Sequence, residues 1–178
     1  MNIENIKKAI EEIAEESTRK IQEEAKKAIE ELEQNTIEEY NPSWLPEKGG
    51  HYWCVDSYCG VLREEYGDDK IDRHNILTFN VYKTEKLAEQ KLKWLEIRKK
   101  IFDIACELGM PTKNDWENNN NSKYFLIYDF DNKKTKIDLF SKGKESQIYC
   151  LEGRKFLDKC LKDIGEEDLK FYLTSNFI

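Results

Sequence analysis

KYFLIYDFDNKKTKIDLF, residues 123–140, reads as two strands joined by a polar turn. Tyrosine, phenylalanine and isoleucine crowd the first half, and such residues favour extended chain. Phe125 and Ile127 alternate with Tyr124, Leu126 and Tyr128, so both faces of this strand are apolar. Asp131–Lys133 supplies the turn. The same plan occurs earlier in HYWCVDSYCGVLREEY, residues 51–66, with a turn near Tyr58–Gly60 and with Trp53 and Val55 set against Tyr52 and Cys54. A short apolar stretch follows each hairpin, ILTFNVY (76–82) and SQIYCL (146–151), and reads as a third strand. A helix follows in turn. Residues 83–108 open on Thr84 as N-cap and carry Leu87, Leu92, Leu95, Ile101, Ile104 and Leu108 at helical spacing. Residues 151–165 carry Phe156, Leu157, Cys160, Leu161 and Ile164 and end on Gly165. GDDKID, between the first hairpin and its third strand, reads as a polar loop, and a short last helix closes the chain.

Each unit is too small to be comfortable alone, so packing of one on the other, or of both on another element, is expected. One face of each strand meets its own helix. The other is either buried by the neighbouring unit or open as an aromatic surface.

The first 40 residues are different. Apolar side chains fall at Ile3, Ile6, Ile10, Ile13, Ile21, Ala25, Ala28, Ile29 and Leu32, in steps of three and four, among strong helix formers. Glu4 with Lys8, Glu16 with Lys20 and Glu23 with Lys27 add charge pairs at helical spacing. These residues predict one helix over 2–39, with a break near Ser17–Thr18. At 1.5 Å per residue it would be about 55 Å long, more than a small domain can cover. The stripe therefore pairs with a second copy, packs on the body or meets a separate partner. Self-association through Ile3, Ile6, Ile10, Ile13 and Ile21 is the expectation.

The fold class expected is thus α+β: a long N-terminal amphipathic helix, then two ββ(β)α-type units with antiparallel sheets. The expected divisions are 1–40 (acidic helix), 41–50 (linker), 51–108 (first unit), 109–122 (exposed linker rich in Asn) and 123–178 (second unit).

Charge sharpens the division. The formal net charge is −7 over 178 residues. Residues 1–40 hold 12 Glu against 6 Lys or Arg, and the remainder holds 24 acidic and 23 basic side chains. The acidity belongs to the N-terminal segment. The body has no basic block, which does not favour non-specific nucleic-acid binding. No apolar run approaches the roughly 20 residues of a membrane span, and no signal-peptide core is present, so a cytoplasmic protein without membrane contact is expected. Five cysteines, an odd number without a framework pattern, fit a reducing compartment.

Candidate chemistry is sparse. His51, Cys54, Cys59 and His74 are four potential zinc ligands, but Cys54 lies within a strand and no knuckle turn is present; no metal or other cofactor is expected. Cys59 with His74 is the one conceivable nucleophile and base. No phosphate-binding glycine loop occurs. The chain is read as non-enzymatic.

Four segments carry a resemblance: Lys48–Trp53, Asn80–Glu85, Tyr124–Phe130 and Ile164–Lys170. Their order, over residues 45–173, resembles a group of small accessory proteins of phages and prophages of low-GC bacteria. Phe79 departs from that pattern, which has a glycine before Asn80. The resemblance implies a protein that binds and inhibits a host protein, such as a CRISPR effector or another defence nuclease that handles nucleic acid. The contact residues expected are Glu12, Glu16, Glu23 and Glu30 on the helix, and Trp53, Tyr124 and Tyr128 on the strands. A contrasting reading is a nucleic-acid-binding module that uses Lys123, Tyr124, Tyr128, Lys133 and Lys134.

Overall fold

The structure is a computed structural model that describes residues 16, 18–24, 26–27, 41, 43–118, 120–140, 147–175 and 177. The chain divides into two compact units, Met1–Glu38 and Glu39–Ile178. In the first, the described residues 16, 18–24 and 26–27 are helical, including Thr18 at the expected break. Lys20 Nζ lies 2.9 Å from Glu16 Oε1, one of the pairs read from the sequence. The remainder of the helix expected over 2–39 lies outside the described residues, as do Ile3, Ile6, Ile10, Ile13, Glu12 and Glu30.

The second unit is α+β. β1 (His51–Val55) pairs antiparallel with β2 (Val61–Glu65), and β3 (Lys123–Asp129) with β4 (Lys134–Phe140). Helices are α1 (Lys70–Leu77), α2 (Glu85–Leu108), α3 (Lys113–Glu117), α4 (Gly153–Asp163) and α5 (Glu166–Thr174).

Among the described residues the expected third strands do not form, and each sheet has two strands. In their place stands a single antiparallel bridge, Trp53 to Tyr82 in the first copy and Tyr124 to Cys150 in the second. Trp53 and Tyr82 exchange two backbone hydrogen bonds of 2.8 Å, and Tyr124 and Cys150 two of 2.9 Å. The helix N-cap follows two residues after the bridge in both copies: Thr84 after Tyr82, Glu152 after Cys150. The common plan is therefore hairpin, bridge, helix. A strand of one residue satisfies the hairpin edge where the core needs it and leaves the chain free to turn into the helix.

Residues 67–82 depart most from expectation. Asp69 caps α1, its Oδ1 accepting from Ile71 N–H (2.7 Å) and Asp72 N–H (3.0 Å), so the supposed polar loop is a helix start. α1 turns its polar side inward: Asp72 and Asn75 are buried, while Ile71 and Leu77 are 63% and 78% exposed. The helix ends in a Schellman motif. Asn80 N–H reaches Asn75 C=O (2.8 Å), and Phe79 N–H reaches Ile76 C=O (3.1 Å). Phe79 takes the left-handed position with φ +54°. Glycine is the ordinary residue there, and left-handed backbone costs other residues about 1–2 kcal/mol. Phe79 thus holds the backbone conformation that a glycine would take there.

The expected linker 109–122 also holds structure. Thr112 and Asp115 form a capping box that starts α3. Trp116 of α3 meets Tyr149 edge-to-face, with centroids 5.0 Å apart.

Both copies feed one core. Tyr82, Leu87, Ile97, Ile101 and Ile104 of the first copy pack with Leu126, Cys150, Phe156, Cys160 and Leu169 of the second. α2 spans this core and touches β1, α4 and α5. Tyr52, Cys54 and Val81 make a smaller cluster against Trp44, Tyr66 and Ile76. Gly165, at φ +95°, ends α4 and turns the chain directly into α5.

Candidate functional site

Lys91, Trp94, Leu95, Arg98 and Phe102 succeed one another along α2 at steps that keep them on one side of the helix. Trp94 is the floor of the site. It is buried, its indole N–H donates to the Tyr172 carbonyl at 3.1 Å, and its ring stacks on Tyr172 at 5.1 Å and 27°. α5 and residue 177 thereby close one wall. Two cations stand over this floor. Lys91 Nζ lies 4.4 Å from the Trp94 centroid, and the Arg98 guanidinium carbon 5.2 Å. Both distances are within cation–π range.

A cavity of about 460 Å³ opens beside them, with Gln147, Tyr172 and Phe177 in its lining. A second of about 240 Å³ is lined by Leu95, Arg98, Lys99, Phe102 and Ile148. Leu95 and Arg98 line both, so the two form a groove along α2 that is basic at one end and apolar at the other. Leu95 and Phe102 are 38% and 42% exposed along it.

The electrostatics follow from this packing. Burial, and then the Arg98 charge, push the Lys91 ammonium down to about 8. Burial raises the Tyr172 phenol above its ordinary value, although Arg98 beside it acts the other way. Arg98 Nη1 donates to Tyr172 Oη at 3.4 Å, and Arg98 makes no ion pair among the described residues. Lys99, by contrast, is held by Asp103 at 2.6 Å, and Lys93 by Asp168 at 2.8 Å. Arg98 thus brings positive charge to the groove beside the aromatic Trp94 and Tyr172.

The residues singled out from the sequence are dispersed. Trp53 is half-buried at the first bridge. Tyr124 is half-buried with its ring against Gly153. Tyr128 is half-buried and meets Phe130 edge-to-face at 5.2 Å. Glu16, Glu23 and Ile21 are exposed on the helical stretch of the first unit. The basic set of the nucleic-acid reading does not assemble. Lys133 and Lys134 are exposed at the turn, but Lys123 is fully buried, where its ammonium donates to the Asn118 carbonyl at 3.0 Å and lies 5.5 Å from the Trp116 centroid. Lys123 is a core cation and is not offered to a phosphate.

Cys54 is buried in β1, and burial pushes its thiol up to about 11, away from the thiolate a metal requires. His51, Cys59 and His74 are exposed. Among the described residues no three His, Cys, Asp or Glu side chains gather as metal ligands. Nor, among those residues, is any helix long and apolar enough to cross a membrane.

The groove was missed in the sequence because Lys91 and Arg98 look like ordinary solvated charges on a helix. The available signal was their spacing from Trp94, three residues before it and four after. Comparison with known proteins gives no match, neither a family model, nor a curated protein, nor a solved structure.

Proposed function

We propose that the chain is a non-enzymatic interaction protein of a phage or prophage that binds and inhibits a host protein, and that the groove along α2 is its contact surface. The observation that carries this reading is the pairing of Lys91 and Arg98 over the Trp94 floor, beside exposed Leu95 and Phe102. Buried aromatics and arginine next to apolar pockets are the residue types that concentrate binding energy at protein interfaces. The resemblance of residues 45–173 supports a host target such as a CRISPR effector or another defence nuclease. Ile21, 66% exposed on a helical stretch with Glu16 and Glu23, supports a second role for the N-terminal segment in self-association.

The test is affinity capture from a host lysate, with the full chain and an Arg98→Glu variant as parallel baits. A host protein retained by the wild type and reduced at least about tenfold on the variant is expected, since loss of a central interface arginine costs about 2 kcal/mol or more. Equal retention by both baits would remove the groove from the interaction.

A further inference from the structure

We propose that the groove recognises an acidic segment of a protein: a carboxylate seated between Arg98 and Lys91, followed by a large apolar side chain lodged against Leu95, Phe102 and Ile148. This rests on the protein-binding reading above and specifies the chemistry of the partner.

Three observations lead there. The first is the state of Arg98. A guanidinium has five donors in a rigid fork suited to a carboxylate. Here it is half-buried, makes one long hydrogen bond of 3.4 Å to the Tyr172 hydroxyl, and faces an indole ring on another side. Arg98 also lines both cavities. The second is the neighbour. Lys91 and Arg98 both lie against the Trp94 ring and both line the 460 Å³ cavity. An anion in that cavity would be within reach of two cations and form charge-assisted hydrogen bonds with the Arg98 fork.

The third observation is the continuity of the groove, which selects among anions. The basic cavity adjoins the apolar one at Leu95 and Arg98, which line both. A ligand that fills the groove therefore carries an anion at one end and an apolar side chain at the other. Leu95 and Phe102 are seven residues apart on α2, about 10 Å at 1.5 Å per residue. Three or four residues of peptide span that length, with main-chain groups available to the polar side chain of Gln147. A simple phosphate would leave the Leu95–Phe102 half unfilled.

The experiment is an NMR titration of the isotope-labelled full chain with acetyl-Glu-Leu-Phe-Glu-amide, with acetyl-Gln-Leu-Phe-Gln-amide, with inorganic phosphate and with adenosine monophosphate. The acidic peptide is expected to shift the Trp94 indole N–H and the Arg98 side-chain N–H. The glutamine peptide is expected to bind about tenfold more weakly or less. Arg98→Gln should abolish the shift at Trp94, while Arg98→Lys, which keeps charge but loses the fork, should retain part of it. Should Arg98→Gln fail to fold by circular dichroism, Lys91→Gln serves as the second variant, with weaker binding expected. Equal binding of the two peptides, no shift at Trp94 with the acidic peptide, or tighter binding of phosphate or adenosine monophosphate would each overturn the proposal. The titration involves no host protein. Its failure would sink the acidic-segment assignment alone, whereas capture of no host protein by the wild-type bait would sink the host-protein reading.

Discussion

Gly153→Ala is expected to lower the stability of the Glu39–Ile178 unit by about 1–3 kcal/mol, the range for overpacking a well-filled interior. Helix propensity predicts the opposite sign, because alanine is favoured over glycine in a helix by roughly 1 kcal/mol. Packing decides between them. Gly153 is buried at the start of α4, and a Cβ added there would meet the Tyr124 ring at 2.5–2.8 Å. Carbon atoms in good contact stand about 3.5–4.0 Å apart. The contact falls on Cγ and both Cδ atoms, the end of the ring nearest the backbone, which moves least when the side chain turns. Tyr124 is fixed by its two 2.9 Å backbone bonds to Cys150, and Cys150 lies three residues before Gly153 in the same chain. Denaturant unfolding of the two proteins measures the difference. The double variant Gly153→Ala with Tyr124→Leu should recover part of the loss, because it removes the ring that the methyl strikes. A stabilised single variant would show that the ring moves aside freely.

The second large effect concerns the polar interior of α1. Tyr52 Oη donates to Asp72 Oδ1 at 2.9 Å and accepts from Asn75 Nδ2 at 3.0 Å. Asp72 Oδ2 accepts from Gly67 N–H (2.8 Å) and Asp69 N–H (3.0 Å). Asn80 extends the network, bonding both backbone groups of Val55 and tying α1 to β1. Asp72→Ala strips the partner from three donors at once, and a loss of about 3 kcal/mol is expected. Tyr52→Phe leaves the buried Asp72 and Asn75 side chains short of a partner and should cost about 1–3 kcal/mol.

The same network sets a pH dependence. Burial tends to raise Asp72, but the hydrogen bonds from Asp69, Tyr52 and Gly67 outweigh it and hold the carboxyl below its ordinary value. Its contribution is therefore present above the unfolded value of about 3.9 and is lost as pH falls through the folded value. Tyr52 behaves in the opposite sense. Burial, reinforced by the facing Asp72 carboxylate, holds the phenol well above its ordinary value despite the Asn75 hydrogen bond. Its contribution is present below about pH 10 and is lost as pH rises through the folded value. Melting temperature against pH, compared between wild type and Tyr52→Phe, should show a smaller alkaline decline in the variant. Superimposable alkaline limbs would exclude Tyr52 as the group responsible.

The hairpins were readable because strand alternation and turn residues are local signals. The Thr84 cap was readable for the same reason, and its Oγ1 indeed accepts the Leu87 N–H at 3.2 Å. The third strands were misread because an apolar stretch such as residues 76–82 serves three purposes in turn: helix end, left-handed cap and single bridge. α1 was hidden by inversion. It buries Asp72 and Asn75 and exposes Ile71 and Leu77, so a search for apolar periodicity looks at the wrong face. In α2 the apolar stripe was only partly recovered. Leu95, read as core, stands in the groove, whereas Trp94 is the buried floor. That floor depends on Tyr172, 78 residues away, and no local pattern conveys such a contact.

The groove exists because α2, from the first hairpin–bridge–helix copy, is walled by residues that follow the second hairpin, among them Gln147, Ile148 and Tyr172. The two copies must then fold as one body, and native-state hydrogen exchange tests this most directly. The bridge amides of Trp53 and Tyr82 should open with the same free energy as those of Tyr124 and Cys150, all at the global unfolding value. If the Trp53 and Tyr82 amides exchange through a separate, lower-energy opening while Tyr124 and Cys150 stay protected, the copies are independent. The shared core and the groove built on it would then be contradicted.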